Sequence, residues 1–220
     1  MGYLEDQQGI MNRYLRESEH WKKHLDLCRS FIKSTFLLPE SEKKMDSIAV
    51  LGSGWLLDVP LDHLSLCFRK IYLVDINHPP QIRKKTEAME GVYLLEEDLS
   101  GGAIEQTWQF TRRRGQNSLE EFVQKIQLEN PLRDINPSAC ISLNLLNQLD
   151  ILLCDFLSRH ASAEDKILNQ FREKIQAFHL QWITRNPGCL ITDTREISLH
   201  KDGRRESKLL IHTPLPETEI

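Results

Sequence analysis

Nowhere does the chain carry the roughly eighteen consecutive apolar residues that a membrane-crossing helix requires. Its first residues, MGYLEDQQGIMNRYLRE, place charge where a secretory signal needs its apolar stretch. A soluble, cytoplasmic protein without a membrane partner is expected. Cysteine is sparse: Cys28, Cys67, Cys140, Cys154 and Cys189 stand singly, with no C-x-x-C pair and no histidine at zinc-ligand spacing. Neither a disulfide framework nor a metal site is therefore expected, and the five read as small buried apolar residues in a reducing compartment. Excess positive charge is lacking too. The 28 Lys and Arg against 32 Asp and Glu leave a formal net charge of -4, which argues against sequence-independent binding of nucleic acid, because that requires many cations to neutralise phosphates. The compact basic run Arg112-Arg113-Arg114 reads as a solvated helix end or loop in preference to a phosphate contact.

What the chain does contain is the composition of an ordinary globule, 40% hydrophobic and 27% charged over 220 residues. One domain spanning 1–220 is expected, with a helical preface over 1–40 and a core over 47–220. In the preface, Ile10, Tyr14 and Leu15, then Trp21, Leu25, Cys28, Phe31 and Ile32, recur at helical spacing, which predicts one or two helices. From residue 47 the pattern changes to short apolar runs, at 47–51, 70–74, 92–95, 139–143 and 189–192, suited to strands covered on both faces. Helical stretches at 61–68, 79–89, 118–128, 145–157 and 164–183 separate them. Such alternation predicts an α/β fold, a Rossmann-like doubly wound, mostly parallel sheet with helices on both faces. The tail, SLHKDGRRESKLLIH, predicts a C-terminal β-hairpin turning at Asp202-Gly203. The span 100–137 exceeds what one crossover needs, so an extra helix or loop carrying Trp108 and the arginine run is expected to project there.

The sharpest motif is SIAVLGSGWLLDVP, an apolar strand ending in Gly52-Ser53-Gly54 and followed by the start of a helix. Glycines here admit close approach of a ligand to the backbone, although a plain strand-to-helix turn has the same sequence. About twenty residues further, KIYLVDIN ends a strand on Asp75, where a carboxylate can accept both hydroxyls of an adenosine ribose. A third strand, VYLLEEDL, ends in Glu96-Glu97-Asp98 followed by Leu99.

Together these pieces resemble the class I S-adenosylmethionine-dependent methyltransferases, over roughly residues 47–193. The resemblance implies S-adenosylmethionine as cofactor. Gly52 and Gly54 would form the first turn with Ser53 and Trp55 beside them, Asp75 with Ile76 would hold the ribose, and Asp98 with Leu99 would meet the adenine. ACISLNLLNQL is similar to the family's fourth strand and PGCLITDTREI to its fifth. Two positions depart from the pattern: Val50 stands where an acid is common, and Trp55-Leu56 replace a third glycine. Asp58 is open to two readings, a substitute partner for the cofactor's ammonium or an exposed helix cap. The missing glycine also argues against ordinary NAD binding, whose pyrophosphate needs room beside the helix.

Methyl transfer from a sulfonium needs alignment and exclusion of water more than a fixed catalytic set, so no catalytic residue is assigned from sequence. Asn144 is the first candidate for acceptor contact, with helix N-cap as its alternative. The family's members that methylate base or amide nitrogens often carry prolines after this position, which are absent here. His20 and Trp21 are further substrate candidates, in a set with Arg13, Arg16 and His24 that would form a lid or a solvated face. His78 is either at the ribose rim or a loop residue. Two functions stay open: a methyltransferase acting on a small molecule or an unspecified acceptor, and a non-catalytic S-adenosylmethionine-binding or regulatory module on the same fold. Sequence fixes neither the acceptor nor the oligomeric state.

Overall fold

The structure, a computed structural model, describes residues 2–39, 43–113, 118–161 and 163–215. Five strands, β1 (Met45–Leu51), β2 (Phe68–Asp75), β3 (Val92–Glu96), β4 (Ala139–Leu143) and β5 (Gly188–Ile191), form one sheet in the order β3-β2-β1-β4-β5. All four pairings are parallel. This is a Rossmann-like sheet whose topology is consistent with that of the class I methyltransferases, with its switch point at β1, where successive crossovers leave in opposite directions. Leu51 is in register with Val74 on one side and Ser142 on the other, so the turns after β1, β2 and β4 lie side by side at the carboxyl edge.

Alternation along β1 shows how the core is divided. Ile48 and Val50 face one layer, formed by the second half of α1 (Tyr3–Thr35), α2 (Leu61–Cys67) and α3 (Pro80–Thr86). Ala49 and Leu51 face the other, formed by α4 (Ala103–Arg112), α5 (Leu119–Lys125), α6 (Ile151–His160) and α7 (Asp165–Ile183). All four β1 residues are fully buried, and each of the larger ones contributes about 1.5–3 kcal/mol relative to exposure. Val50, at the position where an acid is common in the family, is therefore a core residue.

Three expectations need correction. No helix follows directly on Gly54: α2 begins only at Leu61, because Leu56 takes a left-handed φ of 55° and Pro60 precedes the first turn. The stretch 145–157 is not helical from its start; after Asn144, with φ 49°, the chain makes turns and α6 starts at Ile151. The described part of the span 100–137 does supply extra helix, α4 and α5, yet these two helices pack on the body and do not project. Leu119, Val123, Ile126 and Leu132 bury this part against the α6–α7 layer, and Trp108 stacks on Phe156 with ring centroids 5.6 Å apart. The guanidinium of Arg112 lies 4.4 Å over that indole; Arg114, the last of the arginine run, lies outside the described residues.

The preface is one helix with a bend. Glu17 has φ -127° and ψ 22°, and every buried residue of α1 (Leu25, Cys28, Ile32) falls after it. The hairpin forms as expected, β6 (Arg195–Leu199) pairing with β7 (Arg205–Leu209) around Gly203 at φ 82°. All ten of its strand residues are exposed. Its base is tied down by Gln176, which donates to the Leu210 carbonyl at 3.0 Å and accepts from the His212 amide at 2.7 Å.

Candidate functional site

The carboxyl edge of the sheet gathers the residues singled out by the motifs. Gly52 and Gly54 have φ of 73° and 39°, a region that L side chains rarely adopt. A Cβ at Gly52 would stand 2.8 Å from the Leu143 carbonyl oxygen, so this glycine is required for β1 to turn past the end of β4. Gly54 serves the neighbouring edge: its amide donates to Asp75 Oδ2 at 2.8 Å. Ser53 is buried and its hydroxyl finds no partner among the described residues.

Asp75 ends β2 beside this loop. Its Oδ1 accepts from the Ile76 amide at 2.8 Å and from the side-chain amide of Gln7 at 2.7 Å. Burial pushes the carboxyl above the usual carboxylate range, while the Gly54 and Ile76 amides pull it back. Gln7 belongs to the first half of α1. The same side-chain nitrogen reaches the Asn77 carbonyl at 3.0 Å, and the Trp55 indole N–H donates to the Gln7 carbonyl at 2.8 Å. Trp55 thus ties the glycine loop to the helix above it.

Asp98, past the end of β3, accepts from the Ser100 amide at 2.9 Å, from the Ser100 hydroxyl, and from the Ile104 amide at 3.3 Å at the start of α4. Its neighbour Leu99 is buried in the core under α4 and α7. Tyr3 lies one turn before Gln7 on the same helix face. Its phenol is raised well above the ordinary range by burial, then by the charges of Asp98 and Asp6. The strands β2 and β3 are neighbours, so Asp75 and Asp98 follow adjacent strands at the carboxyl edge, and the first turns of α1 reach Asp75 through Gln7.

A second cluster lies where β1, β4 and β5 end. Asn144 donates from Nδ2 to Asp58 Oδ2 at 2.9 Å, its amide donates to the Ile191 carbonyl at 2.7 Å, and its own Oδ1 is buried without a partner among the described residues. Its left-handed backbone and the late start of α6 remove the N-cap role. Asp58 is not an exposed cap; burial raises its carboxyl, offset by the Asn144 hydrogen bond and by His24 and Arg29. Cys28 sits 3.5 Å from His24 Nε2, its thiol pushed up to about 11 by burial and by Asp58 and Asp193.

Other candidates fall elsewhere. His20 is exposed on α1, as are Arg13 and Arg16, whereas His24 turns its ring to Cys28, and Trp21 packs edge-on against Tyr14 at 6.1 Å. His78 is buried with its ring against the Leu95 carbonyl at 3.1 Å, a loop residue beneath the rim. Gln7 and Tyr3 were missed from sequence. The signal was there: Tyr3, Gln7, Ile10 and Tyr14 continue into Trp21, Leu25, Cys28 and Ile32 as one stripe. Among the described residues, no helix is long and apolar enough to cross a membrane, and no group of three or more His, Cys, Asp or Glu is placed to hold a metal.

Compared with known proteins, the chain matches no family model, no curated protein and no solved structure. The functional reading rests on this geometry.

Proposed function

We propose that the chain is an S-adenosylmethionine-dependent methyltransferase with an unassigned acceptor, a single domain in which a helical preface is added to a Rossmann-like core. The observation that supports this reading is the pairing of Gly54 with Asp75 beside the switch point, with Asp98 following the neighbouring strand β3. A carboxylate offers about four acceptor positions. At Asp75 the Gly54, Ile76 and Asn77 amides act on the carboxylate together with Gln7, so a ribose hydroxyl takes the place that Gln7 leaves.

The bound cofactor would bring a methyl group already activated on sulfur. What falls to the chain is placement: Asp75 and Ile76 at the ribose, Asp98 and Leu99 at the adenine, the turn from Gly52 through Trp55 along the cofactor's length, and Asp58 with Asn144 towards its amino-acid end and the acceptor. The late start of α2 weighs against a dinucleotide, since no helix N-terminus follows the glycines to receive a pyrophosphate.

A second reading, a non-catalytic module that retains the cofactor fold, is favoured by one observation, the occupation of Asp75 by the chain's own Gln7. An acceptor screen separates the two readings, and tight cofactor binding with no turnover would select the module. The cofactor assignment itself is tested by calorimetry with S-adenosylmethionine, its demethylated product and NAD. Asp75→Ala is expected to weaken binding of the first two about 10- to 100-fold, the equivalent of charge-assisted hydrogen bonds worth roughly 1.5–3 kcal/mol. Unchanged affinity would remove the ribose assignment.

A further inference from the structure

The two halves of α1 are attached to the body by different means. After Glu17 the helix is anchored by buried Leu25, Cys28 and Ile32, packed into the core layer below. Before it, no residue is fully buried. That half is tied down by hydrogen bonds, from the Gln7 side chain to Asp75 and the Asn77 carbonyl and from the Trp55 indole to the Gln7 carbonyl, beside part-buried Tyr3, Ile10, Met11 and Tyr14. Glu17 lies in the inward stripe that runs from Tyr3 to Ile32, is exposed, and departs from helical geometry. A charged residue there cannot pack as its neighbours do, and the helix bends at that point.

Resting on the reading of the site given above, we propose that residues 3–16 are a built-in cap, which places the Gln7 amide on the ribose-binding oxygen of Asp75 and which must swing about Glu17 before an adenosine-bearing ligand enters. Cap and ligand compete for the same groups. The Gln7 N–H occupies an Asp75 oxygen as a ribose hydroxyl would, and part-buried Tyr3 lies one turn before it. Both lie on one helix face, so they leave together. The few hydrogen bonds that close the cap give a modest closing equilibrium, and the apparent dissociation constant is the intrinsic one divided by the open fraction.

Hydrogen exchange on the full chain, read with and without S-adenosylhomocysteine, tests the cap apart from any activity. In the free protein, amides of 3–16 are expected to exchange as a block faster than those of 18–35. Tyr3→Ala combined with Gln7→Ala should accelerate that block further, and Gln7→Glu, which sets a second carboxylate against Asp75, should accelerate it most. Adding the nucleoside should speed exchange at 3–16 in the unaltered chain, and the double variant should bind it about 3- to 10-fold tighter. Slower exchange at 3–16 on adding ligand, with weaker binding by the variants, would overturn the cap and make the segment part of the bound site, leaving the nucleoside reading intact. If neither the unaltered chain nor any variant bound the nucleoside, the reading of the site would fall, and the cap with it.

Discussion

Asp75 and Asp150 are both carboxylates raised by burial, and each is held by a glutamine amide, Gln7 at 2.7 Å and Gln176 at 2.8 Å. Their surroundings differ. Asp150 precedes α6 and also pairs with Arg172 at 3.2 Å. Its glutamine is fully buried on α7 and spends its remaining capacity on the segment that follows the hairpin. At Asp75 the other hydrogen bonds come from backbone amides, and its glutamine sits on a half-helix without a buried residue. The same pair of chemical groups makes a closed joint in one place and a replaceable contact in the other. What decides is the packing behind the glutamine, because a net hydrogen bond contributes only about 0.5–1.5 kcal/mol.

The sharpest way to break this comparison is to remove each acid and measure unfolding in urea. Asp150→Ala is expected to cost about 3 kcal/mol, toward the lower end for a broken buried pair because the Arg172 side chain keeps 24% of its surface in solvent. Asp75→Ala should cost clearly less, and an equal loss would show that both joints are structural.

A smaller effect sharpens the picture of the closed side. His179, three residues after Gln176, is fully buried with Nε2 at 2.8 Å from the Ser142 hydroxyl, and burial pushes it down to about 3 from an ordinary 6.5. Between those values the unfolded chain binds a proton that the folded chain refuses. The stability that His179 contributes is therefore whole above pH 6.5 and is lost on acidification, at about 1.4 kcal/mol per pH unit down to about 3. Comparing unfolding free energies at pH 7 and pH 5.5, His179→Gln should flatten the fall seen in the unaltered chain. A slope that survives the substitution would place the titrating group elsewhere.

Smallest of all should be Gln7→Ala, expected to shift unfolding by less than about 1 kcal/mol. A loss near that of Asp150→Ala would make the first half of α1 a structural element.

The sheet was legible because its strands are buried on both faces and so stand out as short apolar runs. The run at 139–143 coincides with β4, and those at 47–51, 70–74 and 92–95 fall within β1, β2 and β3. Helix α7 was equally clear, its expected span of 164–183 differing from Asp165–Ile183 by one residue. The failure at 145–157 has a physical cause: Leu146 and Leu149 are buried, but by turns, and apolar spacing alone does not separate a compact turn from a helix. The glycine loop, Asp75, Asp98 and Asn144 were legible as members of one edge, since parallel strands bring their carboxyl ends together. Gln7 was hidden because a glutamine at a stripe position reads as solvated surface, and its partner is 68 residues away.

The central place of β1 has a consequence for how the chain is made. Ile48 pairs with Ile71 on one side and with Ala139 on the other. As the polypeptide leaves the ribosome, β2 and β3 are available to β1 early, whereas β4 emerges only after the whole α4–α5 stretch. At about 5–20 residues per second that delay is on the order of several seconds. Throughout it the nascent half-sheet shows a bare edge of backbone donors and acceptors, the interval in which a holding chaperone would matter most.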